Sequence, residues 1–333
     1  CTTVAGKGKD LQWTLTVGSQ SSGAFTGTLT RYAIPTITGI SPTSFSTAGG
    51  STVTISGAGF GPVDHSEISA TYGSFTASSC DWQSPTQIEC TTEAGIGNNL
   101  KWTVTISSQS SGAFSGTITR YDTPTISSIA LTSDSVVSVT GGSTVDIVGT
   151  NFGPAGTVVT VTYGGSNGLK YTPSSCTMET AHTKLRCTTV AGYGKDLKFI
   201  VTVASQASTL TSSTLDYATP TITGLSPTVF STTAGGDTVT ITGTGFGAAS
   251  HTDISATYGT FTATPCVWQS ATSIQCDTIA GIGKDLKWRV TIGEQTSELF
   301  ATLTRYAVPT VSSITLTSGS VLSVTGTSTV EIE

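Results

Sequence analysis

The stretch Cys90-Thr-Thr-Glu-Ala-Gly-Ile-Gly-Asn-Asn-Leu-Lys-Trp-Thr-Val-Thr-Ile106 decides the fold, and the chain contains it twice. It returns as Cys276-Asp-Thr-Ile-Ala-Gly-Ile-Gly-Lys-Asp-Leu-Lys-Trp-Arg-Val-Thr-Ile292, an offset of 186 residues (276 − 90). Near the end of the first copy, Trp102, Val104 and Ile106 alternate with threonine, so the three large side chains share one face of an extended segment. This alternation predicts a β-strand with one buried face.

A second, related unit lies between the two copies. The first residues of the chain, Cys1-Thr-Thr-Val-Ala-Gly, recur from Cys187, again 186 residues later (187 − 1). Two similar modules therefore alternate, and internal repetition of this kind decides the domain organisation. The predicted order is the second half of a type B module (1–33), type A (34–122), type B (123–218), type A (219–307) and the first half of a type B module (308–333).

The half-modules at both ends have two interpretations. We expect the sequence to be a window cut from a longer array of modules. Alternatively, two chain ends could complete each other between subunits. The first interpretation is favoured, because equivalents of residues 149–186 occur at neither end.

The composition indicates β structure and excludes several classes of function. Only 10% of the residues are charged, the net charge is −6 and the mean hydropathy is +0.13, which argues against disorder and against a basic nucleic-acid-binding surface. Val, Ile and Thr are abundant, as expected of strands. No apolar run approaches the ~20 residues that a membrane-spanning helix needs.

The seven cysteines follow the repeat. Spacing of this regularity favours a disulfide in each module and therefore an oxidising compartment, at the cell surface or outside the cell. Free thiols are the alternative, whereas zinc would need closer ligands and histidine partners. The predicted pairs are Cys80–Cys90, Cys176–Cys187 and Cys266–Cys276, with Cys1 paired to a cysteine upstream of the window.

Module A shows short strands separated by turns. Ser51-Thr-Val-Thr-Ile-Ser56 alternates like the opening stretch, and Gly57-Ala-Gly-Phe-Gly61 follows as a turn around one aromatic residue. Such spacing is typical of a β-sandwich. We expect Trp13, Trp102 and Trp288, which occupy equivalent strands, to lie in the core.

These motifs resemble the IPT/TIG family, the immunoglobulin-like domains of plexins, Met-type receptors, Rel-type transcription factors and many extracellular repeat proteins. The resemblance covers Pro35-Thr-Ile-Thr-Gly-Ile-Ser-Pro42, the Gly49–Gly57 strand, Gly59-Phe-Gly61, the Cys-Thr-Thr…Gly-x-Gly turn and the closing aromatic residue. Module B departs at its start, where Ser127-Ser-Ile-Ala-Leu-Thr132 replaces the Gly-Ile-Ser-Pro step, and 309–314 departs similarly. The resemblance implies tandem immunoglobulin-like β-sandwiches, and it implies function only weakly. It also implies that Trp82 and Trp268 pack on the disulfides; exposure as a sugar-stacking platform is the alternative.

The junctions between modules predict a stiff, head-to-tail rod. Two residues separate tyrosine from proline at each of them, and no Gly/Ser linker is present. Proline fixes its own φ and holds the preceding residue in an extended conformation. The four junctions are Tyr32–Pro35, Tyr121–Pro124, Tyr217–Pro220 and Tyr306–Pro309.

We expect no catalytic set, cofactor site or metal site. The Gly57-x-Gly59-x-Gly61 run and its copy at Gly243 lack the helix that a dinucleotide site needs, so they indicate turns. His65 and His251 have Asp64, Glu67 and Asp253 nearby in the sequence. An exposed loop histidine is favoured there over a weak metal site or a pH-sensitive contact.

The outer face of the predicted sheet is rich in hydroxyl groups. Asn-x-Ser/Thr acceptors for N-linked glycans are absent from the sequence. We therefore expect O-linked glycans on exposed threonines, with a neutral β surface as the alternative. The candidates are Thr52, Thr54, Thr238, Thr240 and Thr242.

Repetition, rigidity and low charge together indicate a mechanical function. We expect a non-catalytic extracellular structural or adhesive repeat protein that associates with copies of itself to form or extend a surface fibre. The stalk of a cell-surface receptor or adhesin, or the accessory region of a secreted carbohydrate-active enzyme, are the alternatives.

Overall fold

The computed structural model describes residues 1–62, 66–166, 168–248 and 251–333. All regular elements in these ranges are β-strands, and none of these residues forms a helix long and apolar enough to cross a membrane. The strands are β1 (Thr16–Val17), β2 (Gln20–Ser21), β3 (Thr36–Ser41), β4 (Ser44–Phe45), β5 (Thr52–Ala58), β6 (Ile68–Tyr72), β7 (Phe75–Thr76), β8 (Ser79–Ser84), β9 (Gln87–Thr91), β10 (Trp102–Ile106), β11 (Gln109–Ser110), β12 (Arg120–Tyr121), β13 (Thr125–Leu131), β14 (Thr144–Thr150), β15 (Val159–Gly164), β16 (Ser175–Thr180), β17 (Lys184–Thr188), β18 (Lys198–Val203), β19 (Gln206–Ala207), β20 (Thr221–Ser226), β21 (Thr238–Thr244), β22 (Ile254–Tyr258), β23 (Phe261–Ala263), β24 (Cys266–Ser270), β25 (Ser273–Asp277), β26 (Trp288–Ile292), β27 (Gln295–Thr296), β28 (Ile314–Leu316) and β29 (Val330–Ile332).

The chain divides into two compact units. The first consists of residues 1–190 and 195–216, and the second of residues 191–194 and 217–333. The first unit contains the half-module 1–33, the type A module 34–122 and most of the type B module 123–218. The second contains the tip of the turn at 191–194, the type A module 219–307 and the half-module 308–333.

The type A module of the first unit is a sandwich of two four-stranded sheets. One sheet has the order β3-β5-β9-β8 and the other β11-β10-β6-β7. Alternate residues of β5 and β10 are buried, as the sequence pattern predicts, and the inward residues of both sheets meet in one core. The predicted all-β immunoglobulin-like fold is therefore confirmed. The core includes Val53, Ile55, Tyr72, Ile88, Trp102 and Val104.

A stack of aromatic rings fills the end of this core that faces the next module in sequence. Trp102 and Tyr72 stack with ring centroids 4.4 Å apart, and Phe45 meets Tyr121 edge to face at 4.9 Å. The Tyr121 hydroxyl donates to the Glu93 carbonyl oxygen at 2.8 Å and lies 3.2 Å from the Tyr72 hydroxyl. Burial raises the pKa of Tyr121 above its usual value, so the phenol stays neutral and can donate.

The disulfides join the last two strands of the first sheet in each module. Cys80 and Cys90 are directly opposite each other across β8 and β9, with their sulfur atoms 2.03 Å apart. The closed loop spans only 10 residues, so cross-linking stabilises the module by about 2.5–3 kcal/mol in the chain-entropy model. The equivalent pairs Cys176–Cys187 and Cys266–Cys276 are also bonded, whereas Cys1 is exposed and free in this chain.

The type B module repeats this plan with one fewer paired strand. Its sheets have the orders β13-β14-β17-β16 and β15-β18-β19. A glycine lies at the same point of the first sheet in both module types, because a Cβ on Gly57 would lie 2.0 Å from the Thr36 carbonyl oxygen and one on Gly149 would lie 1.9 Å from that of Thr125. This shared close approach aligns the Gly59-Phe-Gly61 turn of module A with Asn151-Phe-Gly153 of module B.

The second unit contains the other type A sandwich. Its sheets have the orders β20-β21-β25-β24 and β23-β22-β26-β27, and its core carries the same aromatic stack, with Tyr258 and Trp288 at 4.5 Å. The Tyr306 hydroxyl donates to the Ile279 carbonyl oxygen at 2.6 Å, as Tyr121 does to Glu93.

The half-modules form only hairpins. β1 pairs with β2, and β28 pairs with β29. Trp13 is 45% exposed, whereas its counterparts Trp102 and Trp288 are completely buried. The prediction of a core position for Trp13 is therefore wrong in this chain, because residues 1–33 supply one half of a sandwich and no opposing sheet covers the ring.

Candidate functional site: module junctions and outer sheet faces

A buried glutamine lies beside each of three junction tyrosines, Tyr32, Tyr121 and Tyr217. The side chains of Gln109, Gln206 and Gln295 are between 6% and 9% exposed. Gln109 Nε2 donates to the Tyr32 carbonyl oxygen at 3.1 Å, Gln206 Nε2 to that of Tyr121 at 3.1 Å, and Gln295 Nε2 to that of Tyr217 at 2.8 Å. In each case the acceptor is the tyrosine near the end of the preceding module, three residues before the junction proline.

A tight hairpin places each glutamine. β10 and β11 are joined by Ser107 and Ser108, whose φ angles of +44° and +65° give a turn with two left-handed residues. Asn-Gly is the usual sequence for such a turn, and serine there costs on the order of 1 kcal/mol per residue. This turn places Gln109, the first residue of β11, with its side chain directed toward the junction. Ala204-Ser205 and Gly293-Glu294 have the same left-handed pair of φ angles before Gln206 and Gln295.

Side chains beside the glutamine differ between the two kinds of junction. Where a type B module precedes type A in the first unit, Lys7 Nζ lies 3.3 Å from Glu67 Oε2, which also accepts from Ser107 Oγ at 2.5 Å. Glu67 is 63% exposed, so water screens this ion pair and its contribution is at most about 1 kcal/mol.

The second unit has an aromatic version of the same contact. Tyr193 is the equivalent of Lys7, and its hydroxyl donates to Asp253 Oδ2 at 3.1 Å. Its ring stacks on His251 with centroids 4.0 Å apart, while His251 Nε2 lies 2.8 Å from the Phe246 carbonyl oxygen. His251 is therefore half-buried in a ring contact, in contrast to the exposed loop position expected for it. Its sequence equivalent His65, with Asp64, lies outside the described residues.

The junction from type A to type B in the first unit uses hydroxyl, amide and imidazole groups. Thr47 is 1% exposed, and Asn151 Oδ1 accepts from its backbone amide at 3.3 Å and from its hydroxyl at 3.4 Å. The Thr47 hydroxyl also lies 3.0 Å from His182 Nδ1. A Cβ placed on Gly153 would come within 2.7 Å of Ile96 Cγ2, so the isoleucine packs directly on the glycine backbone.

The other sequence-predicted sites have structural explanations. Gly59 and Gly61 have φ angles of +77° and +89° in the predicted turn. Among the described residues, His, Cys, Asp and Glu form no cluster of three that could hold a metal ion. Trp82 and Trp268 are half-buried against their cores, and their indole nitrogens donate to the carbonyl oxygens of Gly61 at 3.3 Å and Phe246 at 3.1 Å.

The glycan candidates lie on the outer face of the first sheet of each type A module. Thr52, Thr238 and Thr242 are exposed, whereas Thr54 and Thr240 are partly covered. The Thr238 hydroxyl donates to Asp277 Oδ1 at 2.6 Å. The structure thus places all five candidates on this face and leaves Thr52, Thr238 and Thr242 exposed.

The type B module carries charge on the corresponding face. Arg186 Nε donates to Asp146 Oδ1 at 2.7 Å, Lys184 Nζ lies 2.8 Å from Asp146 Oδ2, and Arg186 Nη1 lies 3.4 Å from Glu179. The hydrogen bond from Arg186, together with that from Lys184, lowers the pKa of Asp146 to about 2. The two module types therefore present a hydroxyl face and an ion-pair face.

A family model for the IPT/TIG domain matches residues 35–120, 124–217 and 220–306, each within one of the three complete modules. No curated protein matches the chain.

Solved structures with a similar fold include the extracellular region of plexin A4, with 19% identity and a TM-score of 0.26 over 78% of this chain and 23% of the plexin chain. The Escherichia coli adhesin FdeC has 16% identity and a TM-score of 0.24 over 82% of this chain and 97% of its own. The Yersinia pseudotuberculosis adhesin InvE has 12% identity and a TM-score of 0.34 over 55% and 60%, respectively. The identities are too low to extend the likeness beyond the fold.

Replacing Gln206 by leucine tests the junction bond. The change keeps the buried volume and leaves the Tyr121 carbonyl without its donor, so the free energy of unfolding of the first unit should fall by about 1–3 kcal/mol in urea denaturation. Gln20 is the matched control, since it follows the same hairpin but is exposed, and its replacement by leucine should change stability by less than about 0.5 kcal/mol. Equal effects of the two substitutions would contradict the structural importance of the bond.

The Asp146 ion pairs give a defined pH dependence. Because the folded-state pKa of Asp146 lies below its unfolded value of 3.8, its stabilisation is fully present above about pH 5 and disappears as the pH falls through about 2. After allowance for solvent screening, Asp146→Asn should lower the free energy of unfolding by about 1 kcal/mol at pH 7. The gap between the variant and the parent should shrink as the pH falls through about 2, and a gap that is independent of pH would show that the charge is not responsible.

Proposed function

Because the chain belongs to the IPT/TIG domain family, with three consecutive domains, we propose that it is a non-catalytic extracellular repeat protein that forms or extends a surface fibre with copies of itself. The observation that carries this proposal is the recurrent bond from a buried glutamine to the carbonyl group of the tyrosine near each of three junctions. A repeated hydrogen bond between neighbouring modules suits a protein that must stay extended and carry mechanical load.

An extracellular location is supported by the covalent structure. Each complete module carries one disulfide, and such bonds persist in oxidising compartments. The cross-link joins adjacent strands of one sheet, so it would resist separation of those strands when the chain is under tension.

Association between neighbouring chains is supported by the outer faces. The net charge of −6 over 333 residues gives weak repulsion between chains. The hydroxyl face of type A and the Asp146–Arg186 face of type B are chemically different, so alternation along the chain provides two kinds of lateral contact at a fixed spacing.

Electron microscopy of the purified native material tests the fibre. We expect filaments with a periodicity set by one A–B pair of modules. A triple variant in which Gln109, Gln206 and Gln295 are changed to leucine should give fewer and shorter filaments, while Gln20→Leu should assemble like the parent. Dispersed, short particles of the parent across all concentrations would contradict a fibre and favour the stalk of a receptor or adhesin.

The same proposal includes O-linked glycans on the hydroxyl face, supported by the exposure of Thr52, Thr238 and Thr242. The intact mass of native material should exceed that of the bare chain by whole hexose or N-acetylhexosamine units. In a Thr52→Val variant expressed in the native host, the added mass should decrease, whereas Val53→Ile, at a buried site, should leave it unchanged. A native mass equal to that of the bare chain would remove the glycans from the proposal.

A further inference from the structure

The two junction types use complementary groups at equivalent positions. The residue six places after the second cysteine is Ile96 or Ile282 in type A and Lys7 or Tyr193 in type B. The residue five places before the core tyrosine is Glu67 or Asp253 in type A, and its equivalent in type B is Val158. At the A-to-B junction Ile96 packs on the backbone of Gly153, whereas Lys7 and Tyr193 contact the acidic residues Glu67 and Asp253.

The hydrogen-bonding groups follow the same division. Thr47 of type A, which donates to Asn151, is replaced by Val139 in the equivalent loop of type B, where Gly141 and Gly142 make the same backbone bonds as Gly49 and Gly50. Asn151 of type B is replaced by Gly59 in type A, at the same left-handed turn position. The threonine donor therefore occurs only in type A modules, and the asparagine acceptor occurs only in the type B module.

Mismatched neighbours would leave these groups unsatisfied. Two consecutive type A modules would bring Ile96 against Glu67 or Asp253 and give Thr47 no side-chain acceptor from a glycine. Two type B modules would leave Lys7 or Tyr193 without an acidic partner, because Val158 stands in the place of Glu67 and Asp253. Thr47 is 1% exposed, so leaving its hydroxyl without the Asn151 acceptor costs more than a lost contact, whereas the exposed Glu67 pair contributes at most about 1 kcal/mol. The hydrogen bond at Thr47 therefore selects most strongly against the wrong order.

The second unit shows one of these surfaces uncovered. Thr233 and Ile282 are the equivalents of Thr47 and Ile96, and the Gly281 amide donates to the Thr233 carbonyl oxygen at 2.9 Å, as the Gly95 amide does to that of Thr47. The two loops therefore share this backbone hydrogen bond. Ile282 is nevertheless 77% exposed and Thr233 is exposed, whereas Thr47 is 1% exposed.

We propose that the face formed by Thr233, Ile282 and the Tyr306 carbonyl group is a docking surface selective for a type B module, and that the same complementarity enforces the strict alternation of module types. The occupant would bring the equivalents of Asn151 to Thr233, of Gly153 to Ile282 and of Gln206 to the Tyr306 carbonyl oxygen. This inference rests on the proposed function, because it specifies how the fibre is ordered.

Two extensions of the full chain test the selectivity. The first appends a copy of residues 149–218 after Glu333, which completes a type B module, since Glu333 aligns with Val148. The second replaces residues 308–333 with a copy of residues 34–122, which places a type A module at the same junction spacing. Closure of the added disulfide, measured by mass spectrometry, reports that the new module has folded.

The readout is the paramagnetic relaxation of the Ile282 δ1 methyl protons by a soluble gadolinium chelate. The type B extension should lower this relaxation at least three-fold, to the level of Ile96 in the same sample, and Thr233→Val should reverse part of that protection. The type A extension should lower it by less than half as much. Equal protection by both extensions, or no protection by a type B extension with its disulfide closed, would overturn the proposal.

A single substitution in the chain without an added module tests the same contact, and it does not depend on the folding of an extension. At the Tyr121–Pro124 junction, Thr47→Val gives the type A module the residue that type B carries there (Val139) and should raise the relaxation of the Ile96 methyl group at least two-fold. Thr52→Val, on the outer face, should not raise it. Unchanged relaxation at Ile96 would overturn the proposal. Both results are independent of filament formation, so a failure of the fibre and a failure of the docking surface can be told apart.

Discussion

The hydrogen bond from a buried glutamine to the carbonyl oxygen that ends the preceding module is the constraint on which the junctions depend. At this point the chain leaves one sandwich, and the junction proline three residues later has no amide hydrogen to offer. A side chain from the next module must supply the donor, and Gln109, Gln206 and Gln295 do so. The bond also explains why hairpins with two left-handed residues are retained before each glutamine despite their cost.

The core and the junction form one continuous system. At the A-to-B junction the carbonyl group of Tyr121 accepts the glutamine bond. The hydroxyl of the same residue donates to the Glu93 carbonyl oxygen, and its ring contacts Phe45 while its hydroxyl lies beside that of Tyr72. Because a packed aromatic ring cannot shift without disturbing its neighbours, the position of the carbonyl group is set by the sandwich. The disulfide between Cys80 and Cys90 then holds two strands of the opposing sheet at a fixed register.

Much of this fold could be predicted from the sequence, because burial follows a period of two. The alternation in Trp102-Thr-Val104 predicts the buried face that the structure shows, and the repeat predicts the same face near Trp288. The glutamines could not be predicted from one module, because a polar residue after a hairpin usually faces solvent. Their recurrence after every hairpin of this kind, including Gln20, was the available signal. The His251 contact was missed because its partner, Tyr193, lies 58 residues away (251 − 193) in another module.

Residual dipolar couplings of the native chain test most directly whether the junctions hold neighbouring modules in fixed orientation. The couplings are measured separately for residues 34–122 and for residues 123–190 with 195–216, which belong to one compact unit. If the glutamine bond and its neighbouring contacts fix the junction, both sets fit a single alignment tensor of the same magnitude. Tensors that differ in magnitude by two-fold or more would show that the modules reorient independently and would contradict this account.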